Sequence, residues 1–233
     1  MNQYTIPVGD LQLDVYVFIY EPVASNMYFI PVGDTGIVFD PNINEELPPL
    51  LKQLGIRRVQ IILTHEHYDH TTGVEWLQNL IEAPVFCHAD CSKYISSEKG
   101  NTPRLVAMAL KTKDLADGGH RCEDFMAQYK PYRLKADKTF TGKGNYTVNQ
   151  ITFEFYSTPG HSPGSACYII DGKYIFTGDS LIQNTPTITR FRTSNNETFE
   201  IVTRPFLRAL EKNMLVFPGH GEPFKIKDAK YLY

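Results

Sequence analysis

The sequence predicts an α+β protein in which two packed sheets are covered on their outer faces by helices, a four-layer αββα sandwich. Three observations lead there. Leu11, Leu13, Val15, Val17 and Ile19 alternate with other residues at the period of a half-buried strand. Segments of helical composition at 44–54, 73–81 and 197–211 are spaced among strand-rich stretches. Short apolar runs at 151–156, 174–176 and 214–217 each lead into a Gly-containing loop. With 233 residues, 42% of them hydrophobic, the chain is long enough for one large domain, 1–233, with a substantial core. No internal repeat or low-complexity segment interrupts it.

In chain order, the opening reads as a β-meander: the alternating stretch is followed by strands at 26–31 and 36–40, parted by Gly33 and Asp34. A helix is expected over 44–54, with Pro48 and Pro49 near its first turn and Gly55 ending it. Val59, Ile61, Ile62 and Leu63 have the β-branched content of a buried strand. Val74, Leu77, Leu80 and Ile81 give one apolar face to a helix over 73–81, and 83–87 is another short strand. Helices are expected at 90–97, 103–111 and 121–129, with Pro103 suited to a first turn. Gly142, Lys143, Gly144 and Asn145 suit a hairpin turn leading into 151–156, and Asp171-Gly172 a second one between 166–170 and 173–177. The helix at 197–211 starts near Asn195 or Asn196.

The net charge of −3 argues against a nucleic-acid partner. Cys87, Cys91, Cys122 and Cys167 form no CxxC pair and no dense scaffold, so buried thiols in a reducing cytoplasm are expected. No stretch approaches the roughly 18 apolar residues of a membrane span, and the N-terminus lacks the pattern of a secretory signal. A small-molecule substrate is the partner expected; a homodimer is left open.

The chemistry is concentrated in 64–73, Thr-His-Glu-His-Tyr-Asp-His-Thr-Thr-Gly, at the end of the strand formed by Val59 to Leu63. Three imidazoles and two carboxylates fall within His65 to His70, more ionisable groups than a core holds unpaired. Imidazole and carboxylate are the donors that Zn and Fe take, so the cluster suits a two-metal site. His161 in Pro-Gly-His-Ser-Pro-Gly-Ser, Asp179 in Thr-Gly-Asp-Ser and His220 in Pro-Gly-His-Gly-Glu each follow a glycine after an apolar run. Four loops could then converge on one edge of the sheets.

With those residues in that order, nearly the whole chain resembles the metallo-β-lactamase-fold hydrolases, and the 64–70 and 159–165 segments look most like the glyoxalase II group. The resemblance implies that His65, His67 and His161 hold one metal, Asp69, His70 and His220 another, and that Asp179 bridges them. Two Zn ions are implied, with Fe or Mn as substitutes. A hydroxide shared by the ions would attack a thioester, lactone or other acyl ester, with Asp69 orienting it as a catalytic residue. Asp40-Pro41 resembles the family's Asp-Pro-Gly turn, with Asn42 in place of glycine, and makes Asp40 a hydrogen-bonding residue rather than a ligand. Glu66 and Tyr68 are expected to point away from the metals. His88 is expected to be structural, and His120 in its Gly-rich loop is a candidate to reach the cleft.

Glyoxalase II proper places much of its glutathione-binding surface in a C-terminal helical domain, which the short segment after His220 is not expected to supply. The interval between His70 and His161 instead carries a helical insertion at 90–132, whose Leu105, Met108, Phe125, Met126 and Tyr129 could wall a pocket or pack an interface. A phosphodiesterase, which uses the same ligand set, and a mononuclear iron persulfide dioxygenase with a two-His, one-Asp triad are the alternatives. A non-catalytic sensor is a third.

Overall fold

The computed structural model describes residues 1–98 and 102–233. The opening meander is β1 (Asn2–Val8), β2 (Leu11–Tyr20), β3 (Ser25–Val32) and β4 (Thr35–Phe39), antiparallel neighbours throughout. After α1 (Leu47–Gln53), β5 (Arg58–Ile62) pairs parallel to β4. Next come α2 (Tyr68–Thr71), α3 (Val74–Leu80) and β6 (Val85–His88), again parallel to its predecessor. The helices α4 (Ala89–Ile95), α5 (Arg104–Asp117) and α6 (Arg121–Gln128) precede β7 (Lys138–Phe140), which closes a seven-stranded sheet in sequence order. Each parallel pair requires a crossover, and these helices are the crossovers.

The second sheet has six strands in the order β13, β12, β11, β10, β9, β8. Its members are β8 (Lys143–Val148), β9 (Ile151–Ser157), β10 (Ala166–Ile170), β11 (Tyr174–Gly178), β12 (Leu215–Pro218) and β13 (Phe224–Lys225). Between β11 and β12 runs a helix built from α7 (Asn196–Thr198), a π-helical turn (Phe199–Thr203) and α8 (Arg204–Ala209).

The sheets face each other across an aromatic core. Phe39 stacks on Phe176 with centroids 4.0 Å apart and meets Phe153 and Tyr168 edge-on, and Phe176 in turn stacks on Phe217. A second apolar cluster joins the outer face of the first sheet to α1, α3 and α4 through Leu50, Val74, Leu77, Cys91 and Ile95. A third joins the outer face of the second sheet to Phe199 and Leu207. Helix, sheet, sheet and helix are therefore the four layers expected. Strands such as β4 and β11 are buried on both faces, which is why they read as continuous apolar runs.

Four local expectations are corrected. Gly142–Asn145 is not a hairpin turn: β8 begins at Lys143 and the turn is at Asn149-Gln150, between the paired Val148 and Ile151. Gly144 is small because the Phe155 ring lies against it, 2.7 Å from where a Cβ would sit, so the glycine reports close approach, not chain reversal. The helix expected at 103–111 runs on to Asp117, since no breaker intervenes before Gly118 ends it in the left-handed conformation. The helix expected at 197–211 has a π turn, with Arg204 N–H bonded to Phe199 O and Pro205, which lacks an N–H, in the first turn of α8. Cys122 is only partly buried; the other three thiols are buried, and all four are free.

The 90–132 insertion, of which 99–101 lie outside the described residues, packs differently from the expected pocket wall. Met108 is 58% exposed and Met126 44%, both turned to solvent. Phe125, Tyr129 and Tyr132 gather instead around Tyr68, with ring centroids 5.7–5.8 Å away. Among the described residues no helix is long and apolar enough to cross a membrane.

Candidate metal centre

The first ligand-type residues are presented by the loop leaving β5. Leu63 N–H donates to Phe86 O and Thr64 N–H to Asp40 Oδ1, so the chain is held at the sheet's end as it leaves the ladder. His65 and His67 are two positions apart and turn to the same side, as alternate residues of an extended chain do. His67 has extended backbone, φ −66° and ψ 149°, and caps the single turn of α2, which carries Asp69 and His70. His161 comes from the loop between β9 and β10, Asp179 directly follows β11, and His220 follows β12.

These loops bring together all seven residues. His65 Nε2 and His161 Nε2 each lie 3.0 Å from His67 Nδ1. One nitrogen can share a single proton with one neighbour only, so three imidazole nitrogens at this spacing suit a cation better than one another. Asp179 completes the group, its Oδ2 3.5 Å from His161 Nε2. Beside it, Asp69 Oδ2 is 3.4 Å from both His70 Nε2 and His220 Nε2. The other oxygen of Asp179, Oδ1, faces this second group, 3.5 Å from His70 Nε2 and 3.6 Å from His220 Nε2.

His70 Nε2 and Asp179 Oδ1 are buried and, among the described residues, without a hydrogen-bond partner. Leaving such atoms unsatisfied is costly, and both point where the two groups meet. The residues thus fit a pair of metal ions: His65, His67, His161 and Asp179 could hold one, and Asp69, His70 and His220, with Asp179 between, the other.

The outward nitrogens are anchored. His70 Nδ1 lies 2.9 Å from Asp40 Oδ2, His65 Nδ1 3.0 Å from Thr64 Oγ1, and His161 Nδ1 2.9 Å from Ile188 O. His220 Nδ1 is 3.2 Å from the carbonyls of both Val23 and Ala24. Such contacts fix ring orientation and decide which nitrogen is offered inward. Asp40 is the hydrogen-bonding residue expected: its carboxylate also accepts from Thr64 N–H at 2.7 Å and Thr64 O–H at 2.5 Å, behind the ligand-type atoms.

Electrostatics divides the two groups. Burial, then neighbouring imidazoles, lowers His65 well below its ordinary pKa and His67 to about 3, so both offer lone pairs. Burial opposes the charge of Asp69 and of His70, but their attraction outweighs it, holding the carboxyl well below and the imidazole well above their usual ranges. His220 is likewise raised against the effect of burial by Asp179 and Asp69.

Of the remaining candidates, His88 is structural: its Nδ1 accepts from Asp90 N–H at the start of α4. His120 does not reach the centre; it is exposed before α6, 3.6 Å from Glu123. Tyr68 turns to the insertion and Glu66 to the His161 loop, away from the imidazole cluster as expected. Sequence reasoning missed Phe191, whose ring stands edge-on at 5.5 Å from His67 and 5.6 Å from His161. It also missed Asn26 and Tyr28, which donate to Pro218 O and steady the His220 loop. The lone Phe in a Thr- and Arg-rich loop carried no periodic signal, whereas Asn26 in an apolar strand was a polar anomaly open to notice.

The chain belongs to the metallo-beta-lactamase superfamily, whose family model matches residues 20–220. It is similar to the probable metallo-hydrolase YqgX of Bacillus subtilis (strain 168), 27% identical over 202 residues that cover 86% of each chain. It is also similar to the hydroxyacylglutathione hydrolase of Shewanella halifaxensis (strain HAW-EB4), 25% identical over 172 residues, 72% of this chain and 48% of that one. In fold it resembles the crystal structure of TTHA1623 in a di-iron-bound form, with a TM-score of 0.69 and 22% identity over 91% of this chain and 95% of that one.

Proposed function

We propose that this chain is a binuclear metal-dependent hydrolase acting on a thioester, lactone or other acyl ester of a small molecule. The observation that carries the reading is the carboxylate of Asp179, whose two oxygens face two different groups of ligand-type atoms. Two ions bound there, Zn first and Fe or Mn as substitutes, would bring a shared water towards neutral pKa and polarise the substrate carbonyl. His65, His67 and His161 would hold one ion, Asp69, His70 and His220 the other, with Asp179 between. Asp69, whose Oδ2 lies 3.4 Å from both His70 Nε2 and His220 Nε2, is the residue placed to orient the attacking water. Phe191 shields His67 and His161 from solvent on one side and offers an apolar surface to an acyl group.

Similarity to a hydroxyacylglutathione hydrolase favours a thioester over a phosphodiester, while the 48% of that protein covered leaves glutathione outside the proposal. We place the protein in the cytoplasm with a small-molecule substrate and no nucleic-acid partner, and assign substrate selection to Phe191. The test is elemental analysis of protein purified without added metal, followed by hydrolysis assays on short- and long-chain thioesters, lactones and a small phosphodiester. Two ions per chain and preference for acyl substrates are expected; one tightly held ion, or preference for the phosphodiester, would overturn the reading. One observation favours a second reading. Asp69, His70 and His220 amount to two imidazoles and a carboxylate, the donor set of a mononuclear iron oxygenase. Persulfide dioxygenation with one iron per chain is the result that would support it.

A further inference from the structure

Glu66 stands between His65 and His67, yet its side chain leaves on the opposite side and is buried, 4% exposed. Its carboxylate reaches the loop that carries His161. Ser162 O–H donates to Glu66 Oε2 at 2.9 Å, and Gly164 N–H to Oε1 at 3.4 Å. Ser162 and Ser165 hydroxyls lie 2.8 Å apart, and Ser162 N–H donates to Ser165 Oγ at 3.2 Å, so the loop is folded around the carboxylate. Gly164 makes the approach possible: a Cβ there would collide with Glu66 Oε2 and with the backbone of Cys91 in α4. Beyond the loop, Ala166 N–H donates to Thr64 O, so the stretch that follows His161 is tied to the 64–66 segment at three successive points.

A buried carboxylate is expensive to keep unless its oxygens find donors, and all the donors named here come from a segment about a hundred positions away in sequence. We infer that Glu66 is a positioning residue, a clamp that sets His161 against His65 and His67 and so governs one of the two ion sites selectively. Without it, only the Ala166–Thr64 bond among those named above ties the loop to the strand-end segment; Ile188 O still orients the His161 ring, but the 3.0 Å approach of its Nε2 to His67 Nδ1 is less firmly set. The group formed by Asp69, His70 and His220 has separate anchors in Asp40 and the Val23 and Ala24 carbonyls, and should not feel the loss. This inference rests on the two-ion reading above.

The experiment is zinc titration of the metal-free protein against a competing chelator, for wild type, Glu66→Gln, Glu66→Ala and Ser162→Ala, with folding checked by circular dichroism. In Glu66→Ala one ion should bind 10–100-fold more weakly while the other is unchanged, the range typical of groups that orient ligands. Glu66→Gln, which keeps an acceptor for Ser162, should recover most of the loss. Ser162→Ala, which removes one hydrogen bond and leaves the carboxylate, should show a smaller loss at the same ion and covers the case in which Glu66→Ala does not fold. A wild type that binds a single zinc defeats the two-ion reading. A wild type that binds two, with folded variants that hold both as tightly or lose both equally, defeats the clamp.

Discussion

His70 Nδ1 lies 2.9 Å from Asp40 Oδ2, a buried contact between residues thirty positions apart that turns the other ring nitrogen, Nε2, towards Asp179. Asp40 holds this geometry from a backbone with φ +50°, at the turn that follows β4. Its carboxylate also receives the Thr64 amide at the end of β5, so one side chain orients a ligand-type histidine and fixes the loop that bears it.

Replacing Asp40 by Ala should weaken ion binding at the Asp69, His70 and His220 group about 10–100-fold. It should also cost about 3 kcal/mol of stability, because His70 and Thr64 lose a buried partner. Asn, which tolerates positive φ, should cost less. Chelator competition and urea denaturation measure the two effects; unchanged metal affinity in a folded Asp40→Ala protein would show that His70 is oriented by something else.

Asp179 has no substitute in either group. The Asp179→Ala variant should lose hydrolysis and hold both ions more weakly, and elemental analysis after dialysis reads the second effect. Two ions retained at wild-type affinity would refute its place between the sites.

His88 makes the opposite case. His88→Ala should leave metal content at the wild-type level while removing the cap of α4, a loss of about 1 kcal/mol. The thermal midpoint should fall and the metal content should not. Loss of an ion would mean a ligand had been misassigned.

Phe191 and the insertion make different predictions for substrate choice. Phe191→Ala should lower kcat/KM mainly for bulky acyl substrates, with both ions kept, since the ring borders His67 and His161. Phe125→Ala should loosen the packing around Tyr68 and act less selectively. Met126→Ala, at a position turned to solvent, should change stability by less than about 0.5 kcal/mol. Equal losses on all substrates in Phe191→Ala would place that ring in packing alone.

Much of this was legible in the sequence because it is local. Alternation in Leu11 to Ile19, the apolar run ending at Leu63 and the capping Asn195, which accepts from Thr198 N–H, are written in neighbouring residues and survive folding unchanged. The spacing of His65, His67, Asp69 and His70 fixed a donor set whatever surrounded it, and its strand-end position followed from the residues before it. Gly144 misled because glycine marks a tight turn and a close approach alike, and only the Phe155 ring on the neighbouring strand tells them apart.

The sequence by itself thus determined the layers, most of the elements in their order, though not β1, β7, β8 or β13, and the inventory of groups able to bind metal, since hydrophobic period and residue chemistry are properties of the chain. Tertiary structure decided which oxygen of Asp179 faces which imidazoles, that Glu66 reaches the His161 loop, that Tyr68 rather than the metal cleft receives Phe125, and that Phe191 borders the site. Those relationships join residues from 18 to over a hundred positions apart, or turn on the angle of a single side chain. No period or local propensity encodes them; they arise when two sheets pack face to face and bring the ends of their strands to one edge.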